Sequence, residues 1–210
     1  AGGTVIPEEH IEGAARIARE HGLRVHLDGA RIFNAGVAAG VDVRTFTRHA
    51  DTVSFCLSKG LSAPIGSLLT GPKAFIDRAR MVRRALGGTL RQAGVIAAQG
   101  LVALRTGISR LAEDHANARC FAEGVAGEEG LHVDLESVQS NIVNLDVGGL
   151  GIDAAAFARH LDEKKVRGLP GLGSVVRFVT YRGITAQDID AAIGAVRETA
   201  SVRPWEMAGV

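Results

Sequence analysis

Residues 51–60, Asp-Thr-Val-Ser-Phe-Cys-Leu-Ser-Lys-Gly, constrain this chain more than any other stretch. Val53, Phe55 and Leu57 alternate with the small Ser54, Cys56 and Ser58, and this period of two predicts a strand with one buried face. The strand delivers Lys59 onto Gly60, a residue that can turn sharply. Lysine is scarce: Lys59, Lys73, Lys164 and Lys165 are the only four among 24 cationic side chains. The other three sit in polar helical contexts where exposure is ordinary. An ammonium at the end of an apolar strand is costly to bury unless something uses it. It has two common explanations, a snorkelling or ion-paired structural residue, or an amine kept partly neutral to form a Schiff base.

The flanking pattern sets the architecture. Pro7 with Glu8 and Glu9 marks a helix start, since proline and acids suit a first turn, and the helix runs to about His21-Gly22. A short strand over 23–28 follows, then a helix from about 31 to 39, a short helix over 43–49, and the strand at 51–58. Helix, strand, helix, strand implies a parallel sheet with right-handed crossovers. In such sheets the ligand crevice lies beyond the carboxyl ends of the strands. Asp28 and Lys59 stand at carboxyl ends of successive strands, so the rule puts them on one rim.

A third strand over 65–70 comes too soon for a crossover helix and is expected to be antiparallel to its neighbour. A helix over 73–85 would turn Phe75, Ile76, Ala79, Met81 or Val82 and Leu86 toward the core. A further apolar helix spans 91–105 and another about 108–125. From Gly130 the order becomes strand (131–135), strand (141–147), helix (153–164), strand (174–180) and helix (185–200), with Thr185 as N-cap and Asp188 in the first turn. The expected fold is therefore α/β: a partial, mostly parallel large domain at 1–127 and a small α+β domain at 128–210, with Gly127-Glu-Glu-Gly130 as hinge. Pro204-Trp205-Glu206 reads as a loosely held terminus.

Composition excludes several classes. The net charge of +1, with no strongly basic run, gives no electrostatic footprint for nucleic acid. No apolar run is long enough to span a bilayer, and no leader pattern opens the chain, so a soluble, cytoplasmic protein is expected. Cys56 and Cys120 are far apart and read as buried small hydrophobes. The seven histidines lack His-x-x-x-His spacing, so no metal site is expected.

An aspartate and a lysine on one rim suit pyridoxal phosphate (PLP), which needs an amine for its aldehyde and a carboxylate facing its pyridine nitrogen. Arg31, one turn beyond Asp28, and Arg177, on the strand at 174–180, carry the forked donors that an α-carboxylate requires.

Three motifs carry a resemblance: His26-Leu-Asp-Gly-Ala-Arg31, Ser58-Lys-Gly-Leu-Ser-Ala-Pro-Ile-Gly66 and Gly87-Gly-Thr-Leu-Arg-Gln-Ala-Gly94. Together they resemble the low-specificity threonine aldolases, a branch of the fold-type-I PLP enzymes. The likeness extends from Ala1-Gly-Gly-Thr-Val-Ile-Pro7 to the Arg177-Phe-Val-Thr180 region. It implies a PLP-transferase-like large domain, Lys59 as the Schiff-base lysine and Asp28 as the pyridinium partner. Arg31 would serve both cofactor and substrate, Arg177 would hold the substrate carboxylate, and Arg91 would reach a cofactor phosphate across a subunit interface. The implied reaction cleaves threonine-type β-hydroxy-α-amino acids to glycine and an aldehyde, in a homodimer or homotetramer, within threonine catabolism and glycine formation. β-Elimination, racemisation and a catalytically inert fragment stay open as alternatives. The family usually carries a longer N-terminal portion with phosphate donors and a ring-stacking histidine. Where it commonly has Thr-His this chain has Thr180-Tyr181, and the loop Leu169-Pro-Gly-Leu-Gly-Ser174 looks rearranged.

Overall fold

The computed structural model describes residues 2–201 and divides the chain into two compact units. One comprises residues 5–111; the other joins residues 2–4 to the chain from 112 onward. The expected terminus at Pro204-Trp205-Glu206 lies outside the described residues.

The 5–111 unit is built on a three-stranded sheet, β1 (His26–Asp28), β2 (Thr52–Cys56) and β3 (Ser67–Thr70). β1 pairs parallel to β2 and β3 pairs antiparallel to it, as the short connection requires. Before β1 runs α1 (Glu8–Glu20), with Pro7 at the N-cap, Glu8 and Glu9 in the first turn, and His21-Gly22 closing it. Between β1 and β2 lie α2 (Ile32–Ala39), ended by Gly40 in the left-handed region, and the short α3 (Arg44–Thr47). The expected alternation is only partly kept: Val53 is the one buried residue of β2, Phe55 is half-buried like Ser54 and Cys56, and the strand ends at Cys56, short of the 58 expected. Val53 is buried with Ile32 and Phe46, and Leu27 and Phe55 pack against them. Each such side chain contributes about 1.5–3 kcal/mol when fully buried. A second cluster, Leu57, Leu61, Ala63, Ala103 and Leu111, lies behind the segment that follows β2.

Two helices complete this unit, α4 (Lys73–Ala85) and α5 (Gly94–Thr106). The expected burial of α4 is not found. None of its residues is buried; Phe75, Met81 and Val82 are exposed, as is Leu86 just beyond it, at 81%. With Leu69 of the exposed strand β3, Phe75, Ala79, Val82 and Leu86 line an open apolar groove that no described element covers. α5 starts later than expected because 91–93 is a turn, and only Gly100 and Ala103 on it are buried. Gly100 is there for close approach: a Cβ would stand 2.8 Å from Leu57 Cδ1.

The other unit holds α6 (Leu111–Val125) after its first residue, α7 (Ala154–Glu163), α8 (Ala186–Ser201) and an antiparallel sheet of order β4 (Ile142–Asp146), β6 (Val175–Val179), β5 (Leu169–Pro170). Phe121, Val125, Val143, Leu145, Phe157, Leu161, Val176, Phe178, Ile189 and Val196 form its core. α6 gives Ala118, Phe121, Ala122 and Val125 to that core, so the units divide at 111/112, ahead of the junction expected at 127/128. Cys120 falls off this stripe and is exposed, and Cys56 is only half-buried, so neither is the buried hydrophobe that was expected. No strand forms over 131–135. His132 makes a single bridge with Asp146, and the Asp134 side chain accepts from Glu136 N–H at 3.1 Å, starting a 3₁₀ turn instead. β5 was not foreseen; its Pro170 is tolerated because the strand is at the sheet edge. The Thr185–Asp188 cap of α8 is reciprocal, with Asp188 N–H donating to Thr185 Oγ1 (3.2 Å) and Thr185 N–H to Asp188 Oδ2 (2.7 Å).

Candidate functional site

Asp28 ends β1 and is the Cα partner of Ser54 in the parallel ladder. Past it the Gly29 N–H donates to Ser54 O at 2.8 Å, extending the pairing by one bond. A side chain at Gly29 would be crowded, since a Cβ would meet Ser54 O at 3.0 Å and Ile32 Cβ at 3.1 Å. The Asp28 carboxylate is exposed, and its Oδ1 accepts from Ala30 N–H at 3.1 Å, an Asx turn that leads the chain into α2. Arg31 follows as the N-cap residue of α2, half-buried beside this turn.

Lys59 lies three residues beyond β2, past the same carboxyl edge of the sheet. Its backbone is held by what surrounds it. Leu57 N–H donates to Gly66 O (2.9 Å), Ser62 N–H to Lys59 O (2.9 Å) and Ala63 N–H to Leu57 O (3.0 Å). Leu57, Gly60, Leu61 and Ala63 are buried, while Ser58, Lys59 and Ser62 point outward. Gly60 presses on the buried Asn34, where a Cβ would lie 2.6 Å from Oδ1. Ser62 completes the turn at a φ of 60°. The result is an exposed primary amine on an anchored loop, with no carboxylate in ion-pair distance among the described residues. The ammonium is therefore solvated rather than buried at the end of the strand, and no described ion pair holds it.

The donor set therefore fits PLP: one exposed amine and one exposed carboxylate on a single sheet edge, each on a turn whose glycine allows close backbone approach. Arg91 is exposed in the turn before α5. Arg177 belongs to the other unit, on β6, where its Nε donates to Asn144 Oδ1 on β4 at 3.3 Å. Thr180, at the end of the motif, is buried; its hydroxyl donates to Asp114 O at 2.6 Å and its N–H to Asn141 O at 3.0 Å. Tyr181 beyond it is exposed. Asn144 falls inside the strand expected over 141–147. A polar residue between the apolar Val143 and Leu145 was the available signal, and its link to Arg177 needed the strand register. Among the described residues no cluster of three or more potential metal ligands occurs, and no described helix is long and apolar enough to cross a membrane.

Solved structures share this architecture. A protein of Exiguobacterium sp. 255-15 assigned as an aromatic amino acid β-eliminating lyase/threonine aldolase aligns over 93% of this chain and 58% of its own, with a TM-score of 0.75 at 24% identity. A Listeria monocytogenes protein assigned as an L-allo-threonine aldolase gives a TM-score of 0.73 at 21% identity, over 92% and 57%. These likenesses define the class of fold, that of the β-eliminating lyases and threonine aldolases. Residues 1–147 match the beta-eliminating lyase family, and the chain belongs to it. Members of this family are PLP-dependent. Among its relatives, low-specificity L-threonine aldolase 1 of Arabidopsis thaliana is 37% identical over 199 residues, 94% of this chain and 56% of the relative. The low specificity L-threonine aldolase of Escherichia coli K12 is 38% identical over 187 residues, 89% and 54%. The chain thus spans about half the length of the curated relatives it matches.

Proposed function

We propose that this chain carries the lysine–aspartate part of the active site of a PLP-dependent aldehyde-lyase, one that cleaves L-threonine or L-allo-threonine-type β-hydroxy-α-amino acids to glycine and an aldehyde. The observation that carries this reading is the parallel β1–β2 register, which sets Asp28 opposite Ser54 and sends Lys59 past the same strand end.

Lys59 Nζ would hold the cofactor through its aldehyde, and the Asp28 carboxylate would keep a proton at its pyridine nitrogen. Arg31, beside the Asp28 turn, would serve the cofactor and the substrate carboxylate, and Arg177 would offer a forked donor for that carboxylate. Arg91 would reach the cofactor phosphate across a subunit interface. PLP, when bound, supplies the electron sink for the pair released as Cα–Cβ breaks. Threonine would yield acetaldehyde from its β-carbon and glycine from its α-carbon. The open apolar groove of Leu69, Phe75, Ala79, Val82 and Leu86 supports a homodimer or homotetramer, because contiguous apolar surface of this kind marks association sites.

The test is direct. Protein expressed from its complete reading frame is mixed with PLP and L-threonine or L-allo-threonine, and glycine and acetaldehyde are measured, with Lys59→Ala alongside. Equimolar glycine and acetaldehyde, lost in Lys59→Ala, are expected. Pyruvate with ammonia, a D-amino acid, or no turnover would each overturn the reading.

A further inference from the structure

Arg177 and Asn144 are Cα partners in the antiparallel β4–β6 ladder, so their side chains share one face of the sheet. That face is opposite the core, since Val143 and Leu145 on β4 and Val176 and Phe178 on β6 are the buried neighbours. The contact uses one guanidinium edge only: Nε–H donates to Asn144 Oδ1 at 3.3 Å. The acceptor is a neutral amide. A carboxylate at this cross-strand position would have made an opposite-charge pair, the arrangement that ordinarily stabilises a sheet surface.

Among the described residues no other group on this face pairs with Arg177. Asp146, two residues along β4, is engaged locally; Ser174 and the Gly148 N–H (2.8 Å) both donate to it. Among the described residues no carboxylate lies within ion-pair distance of the Arg177 guanidinium, and the residue is exposed. The amide is also fenced on its nitrogen side. Gly2 passes so close that a Cβ there would stand 2.9 Å from Asn144 Nδ2. Gly3 beside it is held by Ser140 Oγ, which donates to Gly3 O at 2.6 Å. The glycines at 2 and 3 therefore let the chain lie against Asn144.

We infer that Asn144 is a positioning residue for Arg177: it accepts from Nε without cancelling the charge, so the two terminal nitrogens face outward as a fully charged fork for the α-carboxylate of the amino acid substrate. This rests on the role proposed above for Arg177. An aspartate at 144 has nearly the same shape and would keep the bond to Nε, yet it would neutralise the guanidinium and repel the incoming carboxylate. A merely structural asparagine would tolerate that change, and the fold would keep or gain stability through the new surface pair. The positioning role makes it harmful to binding alone.

The experiment compares Asn144→Asp, Asn144→Ala and Arg177→Lys in protein from the complete reading frame, measuring KM and kcat for L-threonine, inhibition by glycine, and the thermal midpoint. Asn144→Asp is expected to raise KM and the glycine inhibition constant together by roughly three- to tenfold, with a smaller change in kcat and an unchanged or higher midpoint. Asn144→Ala, which loses the acceptor, is expected to raise both by a similar factor. If Arg177→Lys raises KM while both Asn144 variants leave it unchanged, the inference is overturned and the reading of Arg177 survives. If Arg177→Lys leaves KM unchanged, that reading fails and the inference falls with it.

Discussion

Asp28 and Ser54 face each other across the parallel strands β1 and β2, and this register puts the carboxylate on the edge that Lys59 overhangs five residues later. The carboxylate has two separable parts to play. One oxygen accepts from Ala30 N–H at 3.1 Å and so organises the entry to α2; the negative charge is what a pyridinium would need.

Asp28→Asn separates them, because the amide oxygen can keep the turn while the charge is gone. The expected outcome is a thermal midpoint close to wild type, some retained visible cofactor absorbance, and a fall in kcat of roughly 10²-fold or more. Near-normal turnover would remove Asp28 from the chemistry.

Gly60→Ala tests the anchoring of the lysine loop. The added methyl would lie 2.6 Å from Asn34 Oδ1 and 3.0 Å from Leu111 Cδ2, both in packed surroundings. A loss of about 1–3 kcal/mol in denaturant unfolding is expected, together with weaker cofactor binding as the loop shifts. A variant as stable as wild type would show that the loop yields easily.

Asp51 bridges the starts of the two parallel strands. Val25 N–H donates to one of its oxygens at 2.8 Å and Arg24 to the other at 2.9 Å, and these contacts, the backbone bond foremost, hold its carboxyl below the usual range. A depressed folded-state value means stability that is present above the ordinary carboxylate range and lost as pH falls through the lowered value. Asp51→Asn should therefore unfold at a midpoint that changes less than wild type as pH falls from about 5 toward 2. Parallel acid titrations of the two proteins would count against the bridge.

Lys165 follows α7 at a φ of 64°, where its N–H donates to Asp162 O and Val166 N–H to Leu161 O, each at 3.0 Å. This is the Schellman position that glycine usually fills. The left-handed strain, about 1–2 kcal/mol, exceeds the added freedom of an unfolded glycine. Lys165→Gly should thus stabilise the fold by roughly 0.5–1 kcal/mol in denaturant titration. A destabilised variant would mean that the lysine side chain makes a favourable contribution larger than its backbone strain.

Local signals in the sequence located the elements best where one residue's chemistry decides the matter. Pro7 with its two glutamates started α1, the Thr185–Asp188 pair capped α8, and the brevity of the 58–66 connection made β3 antiparallel. The apolar face of α4 misled for a related reason. Periodicity reports that a face is apolar and says nothing of whether a neighbour covers it, and here Phe75, Val82 and Leu86 stay exposed. The expected strand over 131–135 lost to an Asp134 side chain that captured a backbone N–H first.

The same division runs through the site. Alternation in 51–58, the strand ahead of Asp28 and the rule for parallel sheets were enough to place an amine and an acid on one edge, because those signals are local and the pairing rule is general. Only the tertiary structure decided how the Lys59 loop is held, with Gly60 against Asn34 and Leu57 against Gly100, and that Arg177 donates to Asn144. Such contacts join positions far apart in the chain, and their geometry depends on strand register and close packing, which no single stretch of sequence encodes.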